Sequence, residues 1–132
     1  MNDPLPGTEA LGALTVFVSD VDAEATFHRD VLGMPLAFAD ADSVVLMLGS
    51  TALNLLSIEA ADELVAPAAS SPVTPQVQAL LTLWVDDVDA ACAELARRGV
   101  ALLNGPLDRP WGKRTAAFSS PGGLLWEIAQ DL

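Results

Sequence analysis

The 132-residue sequence has one cysteine, one histidine and no tyrosine, and it is poor in positive charge. Its one cysteine, Cys92, excludes a disulfide within the chain. Six Lys and Arg face 18 Asp and Glu, a net charge of −12, so the clustered cations that bind nucleic-acid phosphates are missing. No apolar run reaches the roughly 18 to 20 residues of a membrane span, and the N-terminus lacks the pattern of a signal peptide. We therefore expect a cytoplasmic protein that binds neither nucleic acid nor membrane.

What is present is a repeat. Residues 14–23 read LTVFVSDVDA and residues 81–90 read LTLWVDDVDA, with seven of ten letters identical. Each copy has a Val-, Leu- and Thr-rich run typical of a strand. Each run ends in a pair of Asp residues that can cap a helix. Because the same order of elements follows each copy, we interpret the chain as two modules, at about residues 11–58 and 79–131.

The pattern within both modules predicts the order β-α-β-β-β. Helices are expected at residues 23–32 and 90–98, ending at Gly33 and Gly99. The predicted strands after the helices cover residues 36–39, 43–48 and 52–57 in module one and residues 101–103, 115–119 and 124–129 in module two. Turns are expected at residues 49–50, 104–106 and 121–123, among others. Residues 59–78 contain Pro67, Pro72 and Pro75 and are interpreted as a linker, with a short helical turn at 60–65.

Three stretches in order resemble the vicinal oxygen chelate superfamily of glyoxalases, dioxygenases and bleomycin-resistance proteins. They are VFVSDVDAEATFHRDVLGMPL, LWVDDVDAACAELARRGV and RPWGKRTAAFSSPGGLLWEIAQ. The resemblance covers about residues 11–131 and implies an α+β fold, in which residues 1–132 form one domain. In that fold two βαβββ modules form curved mixed sheets that close into a cup. Family habit favours a homodimer, with the modules paired within one chain or swapped between two.

The metal ligands of the family's enzymes are not matched in this sequence. The first-strand ligand positions carry over to Ala13 and Leu80, whose alkyl side chains have no lone pair, and the last-strand positions to Asn54 and Glu127. Metal sites of this kind need about three protein ligands or more. The only histidine, His28, falls on a helix, where we expect it to replace an aromatic side chain. We predict no metal and no cofactor.

Strand alternation assigns one face of each sheet to the core and the other to the cup. Aliphatic residues at 14, 16, 18, 81, 83 and 85 are expected in the core, together with Trp126. The cup face then carries aromatic, apolar and polar side chains, as a small-molecule pocket does. The residues predicted to bind a ligand are Phe17, Phe38, Asn54, Leu56, Thr82, Trp84, Trp111, Arg114, Leu125 and Glu127. Glu127 could instead pair with Arg114 across the last hairpin.

The first functional hypothesis is a resistance protein of the bleomycin-resistance type that sequesters an antibiotic or similar natural product without transforming it. The metal-free relatives carry a WG loop where this chain has Trp111, and an aromatic residue where it has Phe38, and they stack planar drug rings there. We expect an aromatic ligand, and the acidic composition makes a cationic one an option. The alternative is a lyase or isomerase of the superfamily that uses Glu127 as a metal ligand or general base.

Overall fold

A computed structural model describes residues 6, 10–65, 67 and 79–132 of the chain. The chain is divided into two compact units. Unit 1 is Met1–Pro72 and unit 2 is Val73–Leu132. In both units a strand is followed by a helix and three further strands, and the first and last strands pair in parallel while the other pairs are antiparallel. The predicted α+β architecture of two βαβββ modules with mixed sheets is therefore confirmed. No helix in these described ranges is long and apolar enough to span a membrane.

Unit 1 consists of a four-stranded sheet, a helix between its first two strands and a second helix after its last. Its sheet has the order β1-β4-β3-β2. The elements are β1 (Ala13–Val18), α1 (Val21–Thr26) continued by a π-helical turn (Phe27–Val31), β2 (Leu36–Ala39), β3 (Ser43–Leu48), β4 (Thr51–Ser57) and α2 (Ile58–Val65). The predicted helical turn within the linker is thus a full helix. Of the predicted linker, residues 66 and 68–78 fall outside the described part of the chain.

Unit 2 has the corresponding sheet order, β5-β8-β7-β6. Its elements are β5 (Leu81–Trp84), α3 (Val88–Arg97), β6 (Leu102–Arg109), β7 (Lys113–Ser119) and β8 (Leu125–Asp131). One prediction is wrong here. Residues 104–106 do not end the strand, because β6 continues through them to Arg109 with two shifts of register against β7.

The duplicated Asp residues determine where both main helices begin. Oδ1 of Asp20 accepts a hydrogen bond from the backbone N–H of Ala23 at 3.0 Å, and Oδ1 of Asp87 accepts one from Ala90 at 3.1 Å. Each carboxylate thereby satisfies a donor that the first helical turn leaves unpaired. The helices consequently start about two residues earlier than the predicted bounds.

The core of each unit lies between its sheet and its helix. In unit 2, Phe118, Trp126 and Ile128 alternate along β7 and β8 and are at most 3% exposed. The same side of the sheet carries Gln130, whose Oε1 accepts a hydrogen bond from the backbone N–H of Val88 at the start of α3. The predicted core position of Trp126 is confirmed, since it is only 1% exposed.

Candidate functional site

The side of each sheet opposite its helix is here called the open face. In unit 2 it is defined by strand register. Thr82, Glu127, Ala117 and Asn104 lie side by side across the four strands, and Trp84 is next to Thr115 through Ala129. These positions alternate with the core residues Phe118, Trp126 and Ile128, and two of them, Thr115 and Ala129, are themselves buried. The pleat therefore turns the predicted ligand-binding residues Thr82, Trp84, Leu125 and Glu127 to this side.

Two tryptophans are exposed at one end of this open face. The side chain of Trp84 is 71% exposed and that of Trp111, in the β6–β7 turn, is 65% exposed. Lys113 Nζ lies 5.3 Å from the ring centroid of Trp84, and Arg109 Cζ lies 5.8 Å from that of Trp111. Both distances are within the range of cation–π contacts. Because Arg109 and Lys113 are register partners across β6 and β7, the two Trp–cation pairs are neighbours.

A threonine and a hydrogen-bonding side chain recur at the same place in both repeats. In unit 2, Thr82 Oγ1 donates to Glu127 Oε1 at 3.0 Å, which holds the carboxylate on the open face. In unit 1, Asn54 Nδ2 donates to Thr15 Oγ1 at 3.4 Å. The buried Oδ1 of Asn54 has no hydrogen-bond partner among the described residues. The duplication thus preserves the arrangement while changing a carboxylate to an amide.

Unit 1 presents fewer exposed rings on its own open face. Phe38 pairs with Val45 across β2 and β3 on this side and is 53% exposed, whereas Phe17 is only partly exposed. Leu56, predicted to bind a ligand, is buried. A cavity of about 240 Å³ opens in unit 1, but α1 and residues of the core side line it. That cavity includes none of the predicted ligand-binding residues.

Arg114 lies on the helix side of unit 2 and not with the other predicted ligand-binding residues. Its guanidinium Nη2 lies 3.0 Å from Oδ1 of Asp89 on α3, and its Nη1 lies 2.9 Å from Oδ1 of Asp108. These two carboxylates raise the pKa of Arg114. The predicted pairing of Arg114 with Glu127 is wrong, because strand alternation turns the two side chains to opposite sides of the sheet.

The donor set does not match a divalent metal. Asn54 and Glu127 each have an oxygen on an open face, while Ala13 and Leu80 supply alkyl groups only. Among the described residues no cluster of three or more His, Cys, Asp and Glu side chains is arranged to hold a metal ion. His28 is fully buried within the helical layer of unit 1, and Cys92 is buried on α3, where burial raises the pKa of its thiol.

The sequence reasoning missed Arg109 and Lys113. Both belong to the motif RPWGKR, in which Trp111 and Arg114 are predicted as ligand-binding residues but neither Arg109 nor Lys113 is. The turn at Pro110–Gly112 is flanked by β6 and β7, so residues 109 and 113 are the first register pair beyond it. A prediction that extended β6 to residue 109 would have placed Arg109 and Lys113 opposite each other next to the turn.

The two units have the same βαβββ order. In each unit the helix between the first two strands lies on one side of the sheet, and polar and ring-bearing side chains lie on the other. This arrangement defines a duplicated α+β protein. The chain belongs to the Glyoxalase/Bleomycin resistance protein/Dioxygenase superfamily, whose family model matches residues 10–128. It is 32% identical over 123 residues to the uncharacterized protein YraH of Bacillus subtilis, covering 90% of this chain and 96% of YraH.

Solved structures agree with this assignment. A glyoxalase/bleomycin resistance protein/dioxygenase from Nocardioides superposes with a TM-score of 0.83 at 20% identity, covering 100% of this chain and 86% of that one. TnmS3, an antibiotic binding protein from Streptomyces sp. CB03234, superposes with a TM-score of 0.69 at 28% identity, covering 96% of this chain and 98% of TnmS3. The first comparison concerns the fold alone, and the second adds a relative that binds an antibiotic.

Proposed function

We propose that this protein binds a small aromatic natural product, in the manner of an antibiotic-sequestering resistance protein, and does not transform it. The observation that carries the proposal is the pair of exposed tryptophans, Trp84 and Trp111, brought to one end of the unit 2 open face. Large exposed rings are costly to leave in water and are typical of binding surfaces. Stacking of an aromatic ligand adds about 0.5–1.5 kcal/mol per ring pair beyond the buried area.

One relative supports the same class of function. TnmS3 is an antibiotic binding protein, and its similarity to this chain extends over nearly the whole of both. Polar groups on the open face, Thr82 with Glu127, would orient a ligand beside the rings. Of the carried-over ligand positions, only Asn54 and Glu127 have oxygen-bearing side chains, fewer than the three protein ligands that such metal sites take, which favours binding over metal-assisted chemistry.

The experiment is a titration followed by NMR of the three indole N–H signals, one from each tryptophan. Bleomycin, an anthracycline and an anthraquinone are the probes. We expect the signals of Trp84 and Trp111 to shift, while the buried Trp126 serves as an internal control that stays in place. Trp111→Ala should weaken binding about tenfold without changing the melting temperature, whereas Leu11→Ala, at an exposed residue of unit 1, should leave binding unchanged.

Binding that leaves Trp84 and Trp111 unaffected, or no binding of any aromatic probe, would contradict the proposal. The alternative is an enzyme of the superfamily in which Glu127 acts as a general base, and it is favoured by the fixed position of the carboxylate against Thr82. Turnover of a probe that is abolished by Glu127→Gln and retained by Trp111→Ala would establish that alternative.

A further inference from the structure

Arg109 differs from the other basic side chains of this acidic protein. All six Lys and Arg residues lie in the described part of the chain. Within that part, five of them form an ion pair with at least one carboxylate, and those five are Arg29, Arg97, Arg98, Lys113 and Arg114. Arg109 instead is held by neutral oxygens. Its Nε donates to Thr115 Oγ1 at 2.9 Å and its Nη2 donates to Asn104 Oδ1 at 3.3 Å.

The two neutral contacts fix the guanidinium in place without cancelling its charge. Thr115 is only 1% exposed, so one anchor of the guanidinium is a buried hydroxyl on β7. A guanidinium has five N–H donors, and the bonds to Thr115 and Asn104 use two of them. The remaining donors form a preorganised fork of the kind that binds carboxylate, sulfonate and phosphate groups.

The surroundings of Arg109 reinforce its positive charge. Its register partner across β6 and β7 is Lys113, and like charges placed directly opposite each other are unfavourable. Asp131 forms an ion pair with Lys113, which leaves one positive charge in excess among these three residues. An anion placed here would relieve that excess. The net charge of −12 does not prevent this, because charges beyond about 8 Å are largely screened at physiological ionic strength.

The positive group also lies beside the rings of the proposed binding site. The guanidinium carbon of Arg109 is 5.8 Å from the Trp111 ring, and the ammonium of Lys113 is 5.3 Å from the Trp84 ring. A planar molecule stacked on either tryptophan would therefore bring a substituent at its edge within reach of Arg109. We propose that the ligand of this protein is an aromatic acid, and that Arg109 is the residue that recognises its anionic group.

This inference rests on the proposed function and replaces the cationic ligand that composition left open. It is tested with three naphthalenes of the same shape, 2-naphthoate, 2-naphthamide and 2-naphthylmethylammonium, titrated against the intact chain by NMR. We expect 2-naphthoate to bind about tenfold more tightly than the neutral amide, as one charge-assisted hydrogen bond allows, and the ammonium probe to bind most weakly.

Variants then test whether Arg109 causes the preference for 2-naphthoate over 2-naphthamide. Arg109→Gln should reduce the ratio between 2-naphthoate and 2-naphthamide to near one, while affinity for the amide changes little. Arg109→Lys, which keeps the charge, should retain part of the ratio. Arg97→Gln removes the same charge from an exposed residue of α3 and should leave the ratio unchanged. Thermal melts of each variant show whether loss of the Thr115 contact has disturbed the fold.

The outcomes separate the two proposals. Equal binding of all three probes at Trp84 and Trp111, or tighter binding of the ammonium probe, would overturn the aromatic-acid inference and leave the binding function standing. A preference for 2-naphthoate that survives Arg109→Gln in a folded variant would also overturn it. If none of the probes shifts the signals of Trp84 or Trp111, the proposed function fails, and the inference fails with it.

Discussion

At the scale of single residues, His28 shows how an unusual side chain is accommodated in a helix. The backbone changes from α-helical to π-helical turns at Phe27, and His28 Nδ1 lies 2.7 Å from the carbonyl oxygen of Glu24. Because a carbonyl only accepts hydrogen bonds, Nδ1 carries the hydrogen and donates it. The same carbonyl also accepts a hydrogen bond from the backbone N–H of Phe27, so the ring supplies an additional donor where the π-helical turn begins. The predicted aromatic-like role agrees with its complete burial and with an edge contact to Phe27.

This burial makes stability depend on pH. Desolvation lowers the pKa of His28, more than the hydrogen bond and the charge of Glu24 raise it. Below about pH 6.5 the unfolded chain, with an ordinary histidine, binds a proton that the folded protein disfavours. The free energy of unfolding should therefore fall with acid, by up to about 1.4 kcal/mol per pH unit, until the folded histidine also titrates.

Urea unfolding at pH 7.5 and 5.5 measures this effect when the wild type is compared with His28→Gln. The variant should be less stable at pH 7.5, by about 1–3 kcal/mol, since it disturbs a buried contact. Its loss of stability between the two pH values should be smaller than that of the wild type. The carboxylates are the same in both proteins, so their contribution cancels in the comparison. Equal losses in the two would show that His28 does not control the response.

Residue-level prediction succeeded where a single rule decides the outcome. Strand alternation correctly placed Trp126 inside and turned Trp84 and Glu127 to the other side of the same sheet. Applied along β7, the same rule turns Arg114 to the side of the buried Phe118 and away from the open face. The role of Arg109 was not predictable in this way, because it depends on which carboxylates lie near each cation in three dimensions.

At the scale of elements, β6 shows why one boundary was missed. Asn104, Gly105 and Pro106 are turn-forming residues in sequence, yet the strand passes through them with an altered register. Gly105 has φ of +85°, and a Cβ added there would lie 2.5 Å from the carbonyl oxygen of Thr115. The glycine is thus required by a close approach between β6 and β7, which composition alone does not distinguish from a turn.

Gly105→Ala and Gly99→Ala form a matched pair of variants. They test whether the close approach between β6 and β7 requires a glycine at position 105. Both glycines have positive φ, at +85° and +83°, but a Cβ at Gly99 would meet no atom within 4 Å. Gly99→Ala should cost only the conformational strain, about 1 kcal/mol. Gly105→Ala should cost about 1–3 kcal/mol more, because the backbone of β7 must move. Chemical denaturation gives both values, and equal costs would mean that β6 and β7 do not approach so closely.

Most other elements followed from the sequence because each has a local cause. Asp caps begin α1 and α3, a glycine with positive φ follows each of these two helical segments, and short runs rich in aliphatic residues mark β3 and β4. The repeat itself made each half a check on the other. The local pattern and the structure diverge most in β6, where the strand tolerates an irregular backbone.

At the scale of the whole molecule, the excess of acidic residues reduces the stability of the folded protein, and no single contact compensates for it. The chain carries 18 acidic and six basic residues, and each described ion pair of a Lys or Arg has at least one exposed partner. Such pairs stabilise a fold by about 0–1 kcal/mol each. The surplus carboxylates repel one another more strongly in the compact state than in the extended chain. Screening by salt should therefore relieve the folded protein more than the unfolded one.

Raising NaCl from 10 to 300 mM at pH 7.5 should increase the melting temperature by roughly 4 °C, which corresponds to about 1 kcal/mol for a chain of this size. Tetramethylammonium chloride at equal ionic strength is the matched control, since this bulky cation cannot enter a carboxylate cluster. Equal increases with both salts identify screening. A much larger increase with NaCl would instead point to a bound cation, and a fall in melting temperature would mean that the exposed ion pairs outweigh the repulsion.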